Sequence, residues 1–171
     1  VAHEAESVTL AFANALLAVE YTTALRRALE QVEWPRELLD FGPTRRVTME
    51  GRVVMAGLRV SIGVHAGGSF RTQDTGPQTT LLGPAVSRAK QLAELARGGH
   101  TLSSAQVLDE LGPAGRAAAR SDFIDLGPQA LPKVTRKTVV HAVVDEDRGM
   151  PRLPAFVEEQ ESRTNITLER V

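Results

Sequence analysis

Cysteine is absent from this chain of 171 residues, which excludes disulfides, thiolate catalysis and cysteine-ligated zinc. An excess of either charge is also missing: 20 basic residues stand against 21 acidic ones. No overall basic field exists to gather nucleic acid, and none is expected as a partner. No apolar run approaches the roughly 18 residues that a membrane-spanning helix needs. Glu4 and Glu6 interrupt the start, so it does not read as a secretory signal. The lack of cysteine fits a reducing, intracellular compartment, which is the expected location. The chain begins at Val1 rather than methionine, and it reads as part of a longer protein.

What remains is ordinary globular composition, 42% hydrophobic and 24% charged, enough for one domain with a core. Ser7 to Phe12 alternates and predicts a short strand after a turn. From Asn14 the spacing is helical, with Leu17, Tyr21, Ala24, Leu25, Ala28 and Val32 as the expected core face. Trp34-Pro35 ends that helix. Arg36 to Ala56, broken at Gly42-Pro43 and Gly51, reads as a loop or insertion. Leu58 to Val64 alternates most clearly and predicts the strongest strand; Gly67 to Thr80 is polar and turn-rich.

Gly83-Pro84 opens a second long helix with Val86, Ala89, Leu92, Ala93 and Ala96 on one face, closed by Gly98-Gly99. A strand at His100 to Leu102, a helix from an N-cap at Ser103 to about Leu111, and strands at Phe123–Leu126 and Thr138–Val144 follow. Residues 145–171 turn charged and proline-bearing and read as a tail behind a domain spanning 1–144. The alternation of strands and helices predicts an α/β or α+β layered fold.

Single residues carry little chemistry. His3, His65, His100 and His141 show no pair at helical metal-site spacing. Gly63 to Gly68 is glycine-rich but lacks the Gly-Lys-Ser/Thr ending of a phosphate loop. Asn165-Ile166-Thr167 matches a glycosylation triplet of a kind that chance often produces.

An ordered set of short motifs says more. Leu58 to Gly67, Leu82 to Val86, the helix bearing Ala89, Leu92 and Ala96, Gly98-Gly99, Thr101 to Ser103 and Asp125-Leu126-Gly127 resemble, in order and spacing, the class III adenylate and guanylate cyclase domain. Ala28-Leu29, Glu33-Trp34-Pro35 and Leu38-Leu39 resemble the kinetoplastid receptor-type adenylate cyclases and related fungal enzymes in particular. The resemblance covers about Ala2 to Val144. It implies a ferredoxin-like, palm-type α+β fold with a mixed, mainly antiparallel sheet. It also implies that the family's first strand, which lies between the equivalents of Ser7–Phe12 and Leu58–Val64, is absent from this chain and is supplied by a preceding segment or by a partner. The chain alone is therefore expected to be incomplete as a folding unit.

Cyclisation of a nucleoside triphosphate needs two metal ions and cationic stabilisation of the transferred phosphoryl group. The resemblance places the family's second metal aspartate at Glu6, after Ala5 instead of glycine, and its first upstream of Val1. The purine-reading lysine and aspartate correspond to Ala2 and Thr80, and the Asn-x-x-x-Arg pair to Ser87 and Gln91. Gln91 donates a hydrogen bond but no charge. Arg88 and Lys90 stand about 100° away on the helix and read as a solvated face, with an acidic partner as the alternative.

These replacements imply a pseudo-cyclase serving as an interaction or structural component, through cyclase-type dimerisation or within a larger assembly, with no cofactor. The alternative is the metal-bearing half of a heterodimeric cyclase, in which Glu6 would hold Mg²⁺ and ATP or GTP would be substrate. A regulatory nucleotide-binding module is less supported, because Ala2 and Thr80 offer little to a purine.

Overall fold

The computed structural model describes residues 7–40, 44, 47–49, 52–75, 78–96, 99–132 and 134–146. Helix α1 runs Ala15–Gln31, short α2 Arg36–Leu39, α3 Pro84–Leu95 and α4 Ala105–Ala118. The strands are β1 Val47–Met49, β2 Arg52–Met55, β3 Ile62–Val64, β4 Arg71–Thr75, β5 Gln78–Leu82, β6 Thr101–Ser104, β7 Ser121–Gln129 and β8 Thr138–Asp145.

Four strands form the central sheet in the order β3-β6-β8-β7. β3 and β6 are parallel, and the other pairs are antiparallel. The sheet is mixed and mainly antiparallel, as expected. Helices cover both faces. Val64, Val107, Leu108, Leu111 and Val143 form one core with Ala15, Ala18 and Val19 of α1. Leu92, Leu95 and Ala96 of α3 form the other with Leu102, Val140, Ala142 and Leu131. β1–β2 and β4–β5 are separate antiparallel hairpins.

α1 begins at Ala15, where the helical spacing starts, and Asn14 caps it. The Asn14 side chain accepts from the Leu17 N–H at 2.9 Å, and Glu110 of α4 accepts from the Ala15 N–H at 2.8 Å. Its buried face differs from the expected one, however. Ala15, Ala18, Val19 and Thr22 point inward, whereas Leu17, Tyr21, Ala24, Ala28 and Val32 are exposed. Small residues let α1 approach α4 closely, and the Thr22 hydroxyl is satisfied within its own helix by the Val19 carbonyl at 2.9 Å. At the other end Arg27 makes a two-pronged ion pair with Asp145, both contacts 2.5 Å, fastening α1 to the end of β8.

Several expectations are corrected. Ser7–Phe12 is not a strand; Val8, Leu10 and Phe12 lie exposed, and no neighbouring strand pairs with them among the described residues. Only Ile62–Val64 of the expected Leu58–Val64 strand pairs, with β6 on one side alone. A strand needs a partner for its backbone groups, so alternation by itself creates none. The stretch read as a loop or insertion, 36–56, carries α2 and the β1–β2 hairpin, and the polar stretch after Gly67 is mostly the β4–β5 hairpin. Both hairpins are short and their alternation is weak, which hid them.

β6 extends to Ser104, so Ser103 is a buried strand residue and Ser104 stands before α4. The expected end of that helix at Leu111 coincides with a kink at Gly112 (φ 58°), after which Pro113 restarts the helix to Ala118. α3 ends at Leu95, before the expected Gly98-Gly99 stop. The tail from Asp147 and the Asn165 triplet lie outside the described residues.

α3 rests directly on the backbone of β3. A Cβ added at Gly63 would overlap the Ala89 carbonyl oxygen and lie 2.5 Å from the Ala93 nitrogen and 2.8 Å from Leu92 Cβ. The obstacles are largely helix backbone and cannot swing aside. Gly63→Ala is expected to destabilise the domain by about 1–3 kcal/mol, the usual cost of overpacking, read as a lower midpoint in urea unfolding. An unchanged midpoint would contradict this packing.

Candidate functional site

The segment leading from β3 into α3 positions the polar residues that the resemblance singles out. β3 ends at Val64; His65 and Ala66 follow, and Gly67 and Gly68 turn the chain at φ 83° and 77°. The β4–β5 hairpin then returns to Gly83, whose φ of 143° is open to glycine. A Cβ there would also lie 2.5 Å from the Ser69 carbonyl oxygen. Pro84 starts α3 at the position where proline costs nothing.

Ser87 and Gln91 stand one turn apart on α3. Ser87 is exposed and Gln91 half-buried, and the Ser87 N–H donates to the Gly83 carbonyl at 3.0 Å. Arg88 does not belong to a solvated face, contrary to the sequence reading. It is half-buried, and its guanidinium donates to the Thr138 hydroxyl at 3.5 Å, at the start of β8. Lys90 is exposed. Thr80 pairs with Gln73 in the β4–β5 hairpin, whose strand β5 leads through Gly83 into α3. Ala2 and Glu6 lie outside the described residues. The structure thus brings Ser87 and Gln91 onto one turn of α3.

Sequence reasoning missed one polar group. His65 Nδ1 lies 2.9 Å from the Ser104 hydroxyl, which is fully buried. Gly63 faces α3, so strand alternation puts His65 on the same side. That parity was the available signal; the pairing with Ser104, 39 residues away, had none. Burial, and then the Arg88 charge, hold the His65 pKa below its ordinary 6.5. Among the described residues no three His, Asp or Glu side chains gather as a metal site. The one metal candidate of the sequence, Glu6, lies outside those residues.

No protein-family model matches the chain. Solved structures do. A Trypanosoma brucei adenylate cyclase superposes with a TM-score of 0.65 at 21% identity, over 80% of this chain and 66% of that one. A second from the same organism gives 0.60 at 17%, over 76% and 64%. The Pseudomonas aeruginosa adenylyl cyclase CyaB gives 0.54 at 18%, over 80% and 61%. The fold is that of the class III nucleotide cyclases. Among curated proteins, an adenylate cyclase of Mycosarcoma maydis is 31% identical over 112 residues, 63% of this chain. A putative serine/threonine-protein kinase/receptor, R818, of Acanthamoeba polyphaga mimivirus is 31% identical over 109 residues, 61% of the chain. The matched region spans only 4% and 6% of those proteins' lengths, respectively. Among the chain's described residues no helix is long and apolar enough to cross a membrane.

The His65 environment has a pH consequence. The Arg88 charge of α3 acts on His65, and Ser104 of β6 is its hydrogen-bond partner. Since the folded pKa lies below the unfolded 6.5, the unfolded chain takes up the proton first. His65 therefore permits full stability above 6.5, and stability is lost as pH falls through the folded value. His65→Gln should flatten this part of the stability profile between about pH 7 and pH 5. A wild-type profile that superposes on the variant's would show that His65 does not titrate as described.

Proposed function

We propose that this cyclase-homology domain no longer turns over a nucleotide and serves as an interaction component of a larger protein or assembly. The observation that carries the reading is Gln91. It stands on α3 where the resembled family has the arginine that stabilises charge on the transferred phosphoryl group, and glutamine supplies no charge. The nearest half-buried cation, Arg88, is directed at Thr138 beneath the helix, so it is not a replacement. Ser87 in place of asparagine and Thr80 in place of a purine-reading aspartate point the same way. A single preorganised donor is worth about a hundred- to a thousand-fold in rate, and several are replaced together.

The domain incubated with ATP or GTP and Mg²⁺ or Mn²⁺ is expected to release no cyclic nucleotide above a metal-free control. Restoring the helix pair in Ser87→Asn/Gln91→Arg should leave it inactive, because the purine remains unread. Turnover by wild type that vanishes in Glu6→Ala would overturn the proposal, as would activity gained in the double variant.

A further inference from the structure

The exposed side of α1 carries a second pattern that the domain's own fold does not use. Leu17, Tyr21, Ala24 and Ala28 recur at i, i+4, i+7 and i+11, the spacing of a helix–helix seam, and Val32 follows at the helix end. All five are exposed; Leu17 is 47%, Tyr21 42% and Val32 46% accessible. Phe12 lies against Tyr21 with ring centroids 5.3 Å apart, widening the apolar strip. A contiguous strip of this kind marks an interaction surface more often than scattered single residues do.

Residue sizes and charges along the strip indicate what covers it. Turned end for end about a point between Ala24 and Leu25, the seam matches itself: Leu17 falls opposite Val32, Tyr21 opposite Ala28, and Ala24 near Ala24. Each bulky group then meets a smaller or slender one, and two alanines at the middle allow close approach. Glu20 and Arg27 lie seven residues apart along one flank of the seam. An antiparallel copy brings each Glu20 toward the other's Arg27, whereas a parallel copy puts these flanks on opposite sides of the seam and loses the pairing. Arg27 keeps its Asp145 partner in either case.

We propose that α1 is a self-association surface, on which a second copy of this chain packs its own α1 antiparallel across a two-fold axis near Ala24. Such an isologous contact closes on itself, so this face joins two chains and no more. It uses neither α3 nor the Ser87–Gln91 turn, so it stands independently of the proposed loss of turnover.

The absence of native cysteine makes the geometry directly readable. Ala24→Cys under mild oxidation should give a disulfide-linked dimer, since residues near the axis come within disulfide reach. Leu17→Cys alone should not crosslink, because its copies would lie about 22 Å apart along the helices, but Leu17→Cys mixed with Val32→Cys should. The unmodified 171-residue chain should have dimer mass by light scattering, and Tyr21→Glu should have monomer mass with an unchanged circular dichroism spectrum. A monomeric wild-type chain would overturn the proposal and leave the strip to a helix of another segment or protein. Crosslinking of Leu17→Cys with itself would overturn it in favour of a parallel pair.

Discussion

Helix α3 lies where it does because residue 63 has no side chain. The backbone of β3 touches the backbone of α3 at Ala89 and Ala93, and that contact fixes the height of the helix above the sheet. From it follow the direction of Arg88 toward Thr138, the cover over His65, and the outward placement of Ser87. The same helix closes the core built on Leu92, Leu102 and Val140. A constraint at one α-carbon thus organises both a hydrophobic layer and the polar surface above it.

On the opposite face the packing is set by small residues in another way. Ala15 and Ala18 bring α1 close to α4, and each end of α1 is tied by a charged group distant in sequence, Glu110 at the start and Asp145 near the finish. A partly shielded, two-pronged guanidinium–carboxylate pair is stronger and more directional than an exposed single contact. It holds the rotation of α1, and hence which of its residues face the core and which face outward.

The elements legible in the sequence were those announced locally: the helical spacing from Asn14, the Gly83-Pro84 opening of α3, and the strands at Phe123–Leu126 and Thr138–Val144. Their boundaries followed hydrogen bonding that sequence does not display. β7 and β8 run longer than their apolar cores because each pairs with the other along its full length. The face of α1 was misassigned because periodicity records that large apolar residues share a side, not that this side is the inner one. Ser7–Phe12 has the alternation of a strand without a partner to make it one. Of the candidate site, Ser87 and Gln91 were readable through resemblance, since one helical turn joins them. The His65–Ser104 pair was not, because it depends on two parallel strands being adjacent. Arg88 was mistaken for a solvated residue because a helix's charge pattern does not reveal a long side chain reaching under its edge.

The position of β8 has a mechanical consequence. It is the last described strand in the chain, yet it sits inside the sheet, bonded to β6 on one side and β7 on the other, with its far end clamped to α1 through Asp145. A pull applied beyond Glu146 along the strand axis would load both ladders in shear, so that their hydrogen bonds resist together rather than parting one after another. The domain thereby offers a stiff point of attachment, and force arriving there spreads into the sheet and α1 before any edge strand is peeled away.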